Sequence, residues 1–565
     1  LAIDKQSTTL SGPQCRDLQQ SGMFFAGRGI PISIQSLAKL AAIATVLMVV
    51  APLVVIILGW SSDQTEVWQH LIATQLSMLL RNTVVLAVAV GIGVTLLGVC
   101  LAWLTVMYEF PGRSWLDWAL MLPMAMPAYV LAFVVLGLFD FAGPLQQGLH
   151  SLFGDQYHYF DVRHELTVIL VLILVFYPYV YMLARSAFLS QGSDVMEVAR
   201  VLGATRRQAF FKIALPMAKP AVVAGASLAV METLADFGTV AVFNYDTFTT
   251  AIYKAWFGLF NLQAAAQLAS LLLLFVGLAL LTEKKSRGNS RFTQSARKQH
   301  RFRQRLSPVS AIAATLFCLS ILSVAFIVPV AQLLRWVLLE GFEAVDQRYL
   351  GLLSRTLMLG AIAALATVVL ALLLAFSRRL AGPKMRSFYD LGSLGYALPG
   401  SVLAVGVMLS FAFLDRQLIA PVMEWLGMQP RQLLVGSVFA LLAAYWVRFL
   451  AVASGPVDSG LQQLKASIPE AARGLGASGW TLMWAIYLPM LRPGLLTAMV
   501  LVFVDVMKEM PATLLLRPYG WDTLAVRVYE MTSEGEWQRA ALPALSLIVV
   551  GLLPVILAVK ASARR

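Results

Sequence analysis

Runs of about 20 apolar residues recur along the whole chain, each long enough to cross a hydrocarbon core of roughly 30 Å. About twelve can be read, near 37–60, 83–107, 115–139, 166–189, 214–235, 262–281, 309–334, 356–376, 388–414, 434–454, 488–507 and 541–560. With 59% hydrophobic and only 13% charged residues over 565 positions, the chain lies outside the soluble range. An all-α polytopic membrane protein is expected. The first run follows a polar tail, residues 1–35, without a small-residue cleavage site, and reads as a retained span rather than a removed signal. Cys15, Cys100 and Cys318 are too few and too far apart for a disulfide framework or a cysteine-rich metal site.

The net charge of +13 reflects orientation in the membrane rather than nucleic-acid binding. With the N-terminus in the cytoplasm and twelve spans alternating, about 31 of the 43 Lys and Arg fall on the cytoplasmic side, and the C-terminus lies there too. Residues 283–306 carry about nine basic residues and one acid with almost no aliphatics, which suits a cytoplasmic linker beside anionic headgroups. On either side of it the pattern repeats. LRNTVVLAVAVGIGVTLL at Leu80 answers LSRTLMLGAIAALATVVL at Leu353, and LPMAMPAYVLAFVVLG at Leu122 answers GYALPGSVLAVGVMLS at Gly395 with a one-residue shift. The expected layout is a first half at 36–282 and a second at 307–565, inserted in the same orientation because the repeat holds an even number of spans. Pro123, Pro127, Pro178 and Pro399 interrupt spans, which suits helices kinked beside a cavity.

The sharpest repeat is a loop. EVARVLGATRRQAFFKIALPMAKP, from Glu197, and EAARGLGASGWTLMWAIYLPMLRP, from Glu470, align without a gap at an offset of 273 and share 11 of 24 positions. Val195, Ala199 and Leu202 follow an i, i+4, i+7 spacing, so a short helix would bury a narrow face, and Gly203 would end it at low steric cost. The second copy breaks at Gly476. Two equivalent knobs on one face would suit a two-fold symmetric partner.

The spacing E-A-A-x3-G-x9-I-x-L-P is met by Glu470, Ala471, Ala472, Gly476, Ile486, Leu488 and Pro489. It is met again by Glu197, Ala199, Gly203, Ile213, Leu215 and Pro216, with Val198 as the single departure. This resembles the permease signature of binding-protein-dependent ABC importers. The resemblance implies the type I importer permease fold, with these loops as coupling helices seated on a homodimeric cytoplasmic ATPase, and cargo delivered by a periplasmic binding protein. Nothing resembles GxxxxGK[ST], so ATP and Mg are expected on the partner ATPase, with no cofactor bound by this chain and no enzymatic role.

After each loop, METLADFGTVAVF and VDVMKEMPATLLLRP bring acids to the end of the next span, Glu232 matching Asp505 and Asp236 matching Glu509. Such acids face a polar interior or a partner. These segments look like those of the fused ferric-iron permeases, which implies Fe(III) as cargo in the inner membrane of a Gram-negative bacterium. Related permeases carry thiamine, phosphonates or polyamines. The four acids could line a path for a trivalent cation or form an ion-pair network with Lys508 that holds helices together. In the outer loop, Tyr157, His158, Tyr159, Asp161, His164 and Glu165 offer metal ligands or a docking face. An ion-gradient-driven secondary transporter is the competing class; an intramembrane enzyme would need a nucleophile–base pair or metal motif that cannot be recognised.

Overall fold

The computed structural model describes residues 32–141, 143–154, 161–191, 203, 205–287, 303–340, 345–380, 383–465, 467–477 and 479–563. Among them, eleven helices are long and apolar enough to span a bilayer, and a pair, Arg113–Ala125 and Ala128–Leu138, bent by 90°, brings the number to twelve if it is counted as one broken span. The only strands among the described residues are two-residue segments, Tyr108–Glu109 and Gln304–Arg305, paired in parallel. Eleven of the expected spans appear close to their hydropathy bounds. The ninth does not: residues 388–414 form the end of the helix Pro383–Asp390, a 3-10 segment Leu391–Ala397, and a helix that starts afresh at Gly400 and runs on through a π turn to Trp425. Pro399 sets that restart, because proline has no amide hydrogen and holds the preceding Leu398 extended at φ −82°, ψ 123°.

The third span breaks in the same way. Pro127 caps Ala128–Leu138 with φ −60°, ψ 143°, and Pro399 caps Gly400–Leu414 with φ −55°, ψ 141°. A second pair of breaks follows the repeated loops. The fifth span stops at Ala235 and Asp236 turns extended (φ −67°, ψ 128°); the eleventh stops at Lys508 and Glu509 does likewise (φ −69°, ψ 116°). The entry to these spans is also repeated, with π turns at Phe210–Ala214 and Met483–Tyr487.

The two halves exchange their outermost helices. Ala42, Val46 and Val49 of the first span sit in a core built from the eighth to eleventh spans, and Gly406 of the ninth lies against Pro52 and Ile56. In return, Cys318, Leu322 and Trp336 of the seventh span are buried among the second to fifth, where Trp336 stacks on Phe133 and fills the space over Gly137. Hydrophobicity gives no drive for helices to associate within lipid, so close approach through small residues has to hold them. Gly98 and Gly225 both press on Val180 of the fourth span; a Cβ at Gly225 would lie 2.7 Å from the Val180 Cα. Gly225→Val is expected to cost about 1–3 kcal/mol by overpacking, read as a lowered thermal midpoint in detergent; an unchanged midpoint would show that these helices are not in contact.

Candidate functional site: a charged cavity between the halves

Three of the four breaks, at Pro127, Asp236 and Glu509, come together between the halves. They enclose a cavity of about 410 Å³ lined from both halves: Met124, Met126, Pro127 and Tyr129 of the third span, Glu232 and Asp236 of the fifth, Arg448 of the tenth, and Asp505, Lys508 and Glu509 of the eleventh. All four acids singled out in the sequence thus line one space. Six methionines, Met121, Met124, Met126, Met182, Met231 and Met510, give part of the wall a flexible and polarisable surface.

Each break acid is tied into its own chain reversal. Asp236 accepts hydrogen bonds from the Thr239 hydroxyl (3.0 Å) and the Val240 amide (3.2 Å), while the Thr249 hydroxyl donates to its carbonyl (2.7 Å). Glu509 accepts from the Ala512 amide (3.0 Å), and the Thr513 hydroxyl donates to its carbonyl (2.7 Å) and meets the Tyr445 hydroxyl at 2.6 Å. Glu509 also pairs with Arg448, Nε to Oε2 at 3.3 Å, with the glutamate side chain only 4% exposed. Gly400, first in its helix, leaves room for that pair: a Cβ there would fall 2.4 Å from Arg448 Nη1 and 2.6 Å from Glu509 Oε1. Lys508 does not pair with Glu509. Its Nζ donates to the Met124 carbonyl across the interface between halves (3.2 Å), over Gly551, whose missing side chain makes room for it.

Both cations come from the second half. At the 273 offset Val175 stands where the second half has Arg448, and Ala235 where it has Lys508. Arg448 was missed in the sequence reading, although a lone arginine within the apolar run 434–454 is itself a signal of a polar interior. Among the described residues, no three His, Cys, Asp or Glu side chains approach closely enough to hold a metal ion.

The second loop motif folds as the helix Ser467–Gly474 with Glu470 and Ala471 exposed and Ala472 packed on the core. Gly476 takes φ 87°, and the Ala477 amide closes back on the Ala472 carbonyl (3.0 Å), a left-handed helix stop that leaves Leu475 90% exposed at the tip. Ile486 lies in the π turn, and Leu488 and Pro489 open the eleventh span. In the first copy Gly203 has φ 80°, Ile213 lies in the equivalent π turn, and Leu215 and Pro216 open the fifth span. Glu197 and Ala199 lie outside the described residues, as do Tyr157, His158 and Tyr159 and most of the basic linker. The remaining outer-loop candidates are engaged separately: Asp161 accepts from the Arg163 amide, His164 from the Leu166 amide, and Glu165 pairs with Arg81 at 3.0 Å.

Eleven long apolar helices and a bent pair among the described residues, repeated breaks and a charged interior define a polytopic membrane transporter subunit. Residues 94–336 and 368–565 match the family described as the binding-protein-dependent transport system inner membrane component, and the chain belongs to that family of ABC importer permeases. It is 27% identical to an Fe(3+)-transport system permease protein of Haemophilus influenzae over 86% of this chain and 90% of that protein. Other relatives match a shorter part. A sulfate transport system permease protein of Escherichia coli is 29% identical over 31% of this chain and 61% of its own length. A 2-aminoethylphosphonate transport system permease protein of Salmonella typhimurium is 32% identical over 21% of this chain and 44% of its own.

Removing one partner of the buried Arg448–Glu509 pair strands the other charge. Arg448→Met is expected to cost about 3–5 kcal/mol, and the double variant Arg448→Met with Glu509→Gln to regain most of it. Thermal unfolding of the purified variants measures this; additive losses would mean that the pair is not coupled.

Proposed function

We propose that this permease carries ferric iron from the periplasm to the cytoplasm, driven by two copies of a separate cytoplasmic ATPase that bind ATP and Mg, with cargo handed over by a periplasmic binding protein. The observation that carries the reading is the cavity: four carboxylates from both halves meet at the paired breaks, in a chain whose ferric relative matches it across both halves. Hard carboxylate oxygens suit a hard cation.

The loops around Glu197 and Glu470 are the proposed coupling elements, with Leu475 as the apolar tip that enters a groove of the ATPase and the exposed Glu470 beside it. Gly203 and Gly476 set the turn; Ile213, Leu215, Pro216, Ile486, Leu488 and Pro489 join each loop to the span that ends at a cavity acid. In this reading the loop-bearing face, both termini and the basic linker are cytoplasmic. Closing and opening of the ATPase pair moves the loops and alternates access to the cavity.

A second reading within the same importer class is an oxyanion cargo, favoured by Arg448 and Lys508 in the cavity wall. Proteoliposomes holding this chain, its cognate ATPase and its cognate binding protein separate the two. Iron-loaded binding protein is expected to stimulate ATP hydrolysis and fill the vesicles with iron. Stimulation only by a sulfate- or phosphonate-loaded form would replace iron by an oxyanion, and transport without any ATPase would return the chain to the gradient-driven class. Glu470→Lys is expected to abolish stimulated uptake while the protein still folds; unchanged uptake would remove Glu470 from the coupling surface.

A further inference from the structure

Each half carries an ion tie between the helix that precedes a proline break and the span that leads into a coupling loop, and the two ties are built from different residues. In the first half Asp117, on the helix Arg113–Ala119, takes a two-pronged contact from Arg185 of the fourth span: Nε to Oδ1 at 2.6 Å and Nη2 to Oδ2 at 2.5 Å. The Tyr181 hydroxyl adds a bond to the Asp117 carbonyl (2.8 Å). At the 273 offset Asp117 corresponds to Asp390, but Arg185 corresponds to Asp458, so a like-charged pair would result. A third helix supplies the cation instead. Arg378, at the position equivalent to Thr105, reaches Asp390 (3.2 Å) and Asp458 (2.6 Å) at once.

The sign at one position has been reversed and the tie kept. In the first half, where both side chains are under a fifth exposed, simple helix packing does not require ions, because an apolar pair would serve as well or better than charges withdrawn from water; the second tie is nearer the surface, with Asp390 53% exposed. Each tie also lies on a continuous route. Arg185 and Asp458 are within two turns of where their helices end, at Gln191 and Gln463, before the loops. Beyond Asp117 the chain reaches Met124, whose carbonyl takes the Lys508 bond; beyond Asp390 it reaches Gly400, against the Arg448–Glu509 pair. The segments between are clamped to the same spans: Tyr177 donates to the Leu120 carbonyl (2.8 Å), and Gly395 lies so close to the Val447 carbonyl that a Cβ would meet it at 2.0 Å.

We propose that the Asp117–Arg185 and Asp390–Arg378–Asp458 ties are the transmission elements that make the pre-break segment move with the coupling loop, so that ATPase motion reaches the cavity wall. These are positioning residues: they act through the breaks and touch no cargo. The inference rests on the importer reading and on the coupling role of the loops, and is independent of which cargo is carried.

The test transplants the first half's solution into the second, in the reconstituted complex of full chain, ATPase and binding protein. Arg378→Thr and Asp458→Ala are each expected to lower cargo moved per ATP hydrolysed by at least about fivefold. The double variant Arg378→Thr with Asp458→Arg, which lets Asp390 pair directly as Asp117 does, is expected to restore the ratio. In the first half Arg185→Asp should uncouple and Asp117→Arg with Arg185→Asp should recover. Thermal midpoints are measured alongside. Lowered midpoints with an unchanged ratio, or doubles no better coupled than the singles, would overturn the proposal and reduce the ties to packing. Wild-type complex that shows no stimulated hydrolysis with any loaded binding protein would instead overturn the coupling reading, and this inference with it.

Discussion

A peptide group that leaves a helix inside a bilayer has no water to bond to, and that constraint governs the centre of this protein. Three of the four chain breaks line the cavity, at Pro127, Asp236 and Glu509, and the fourth, at Pro399, lies beside it, where Gly400 meets the Arg448–Glu509 pair. At the acidic breaks the side chain accepts an amide of the turn that follows, from Val240 or Ala512, and a threonine hydroxyl, Thr249 or Thr513, covers the carbonyl. At the third-span break the Met124 carbonyl is met by Lys508 from the other half. The same groups that satisfy the broken backbone therefore make the interior polar. The broken backbone and the cavity chemistry have one origin.

Hydropathy carried most of the fold because span length and composition are local properties of the sequence. It also gave the repeat, since both loop copies must present the same turn, and Gly203 and Gly476 do so at φ 80° and 87°. It misplaced the ninth span because residues 388–397 are apolar enough to cross yet lie before a proline that restarts the helix. It could not show that the first and seventh spans change places, since an apolar helix surface does not encode which neighbour it meets. The acids of the site were legible as charges in greasy surroundings. Their partners were not: Glu509 pairs with Arg448, 61 residues away in sequence, rather than with the adjacent Lys508.

The backbone of the two halves agrees more closely than their charges do. After the acid, Phe237 and Met510 have φ, ψ of −116°, −41° and −112°, −48°. Yet Glu509 pairs with an arginine in addition to its own turn, as Asp236 does not, and among the described residues the first half contributes no cation to the cavity wall. Lys508 crosses the interface, so the second half's positive charge serves the first half's broken span.

This division follows from what each region has to match. The loops face a proposed partner with two-fold symmetry, and a departure in one copy would weaken one of two equivalent seats; 11 of 24 positions remain identical there. The cavity need not repeat that symmetry, and there the fused chain places Arg448 and Lys508 on one side only. Joining the halves in one polypeptide allows this, because each position can change without changing its counterpart. Two like loops and an unlike cavity wall coexist in one chain, and the breaks, alike to within about 12° at the acids and the residues that follow, join the one to the other.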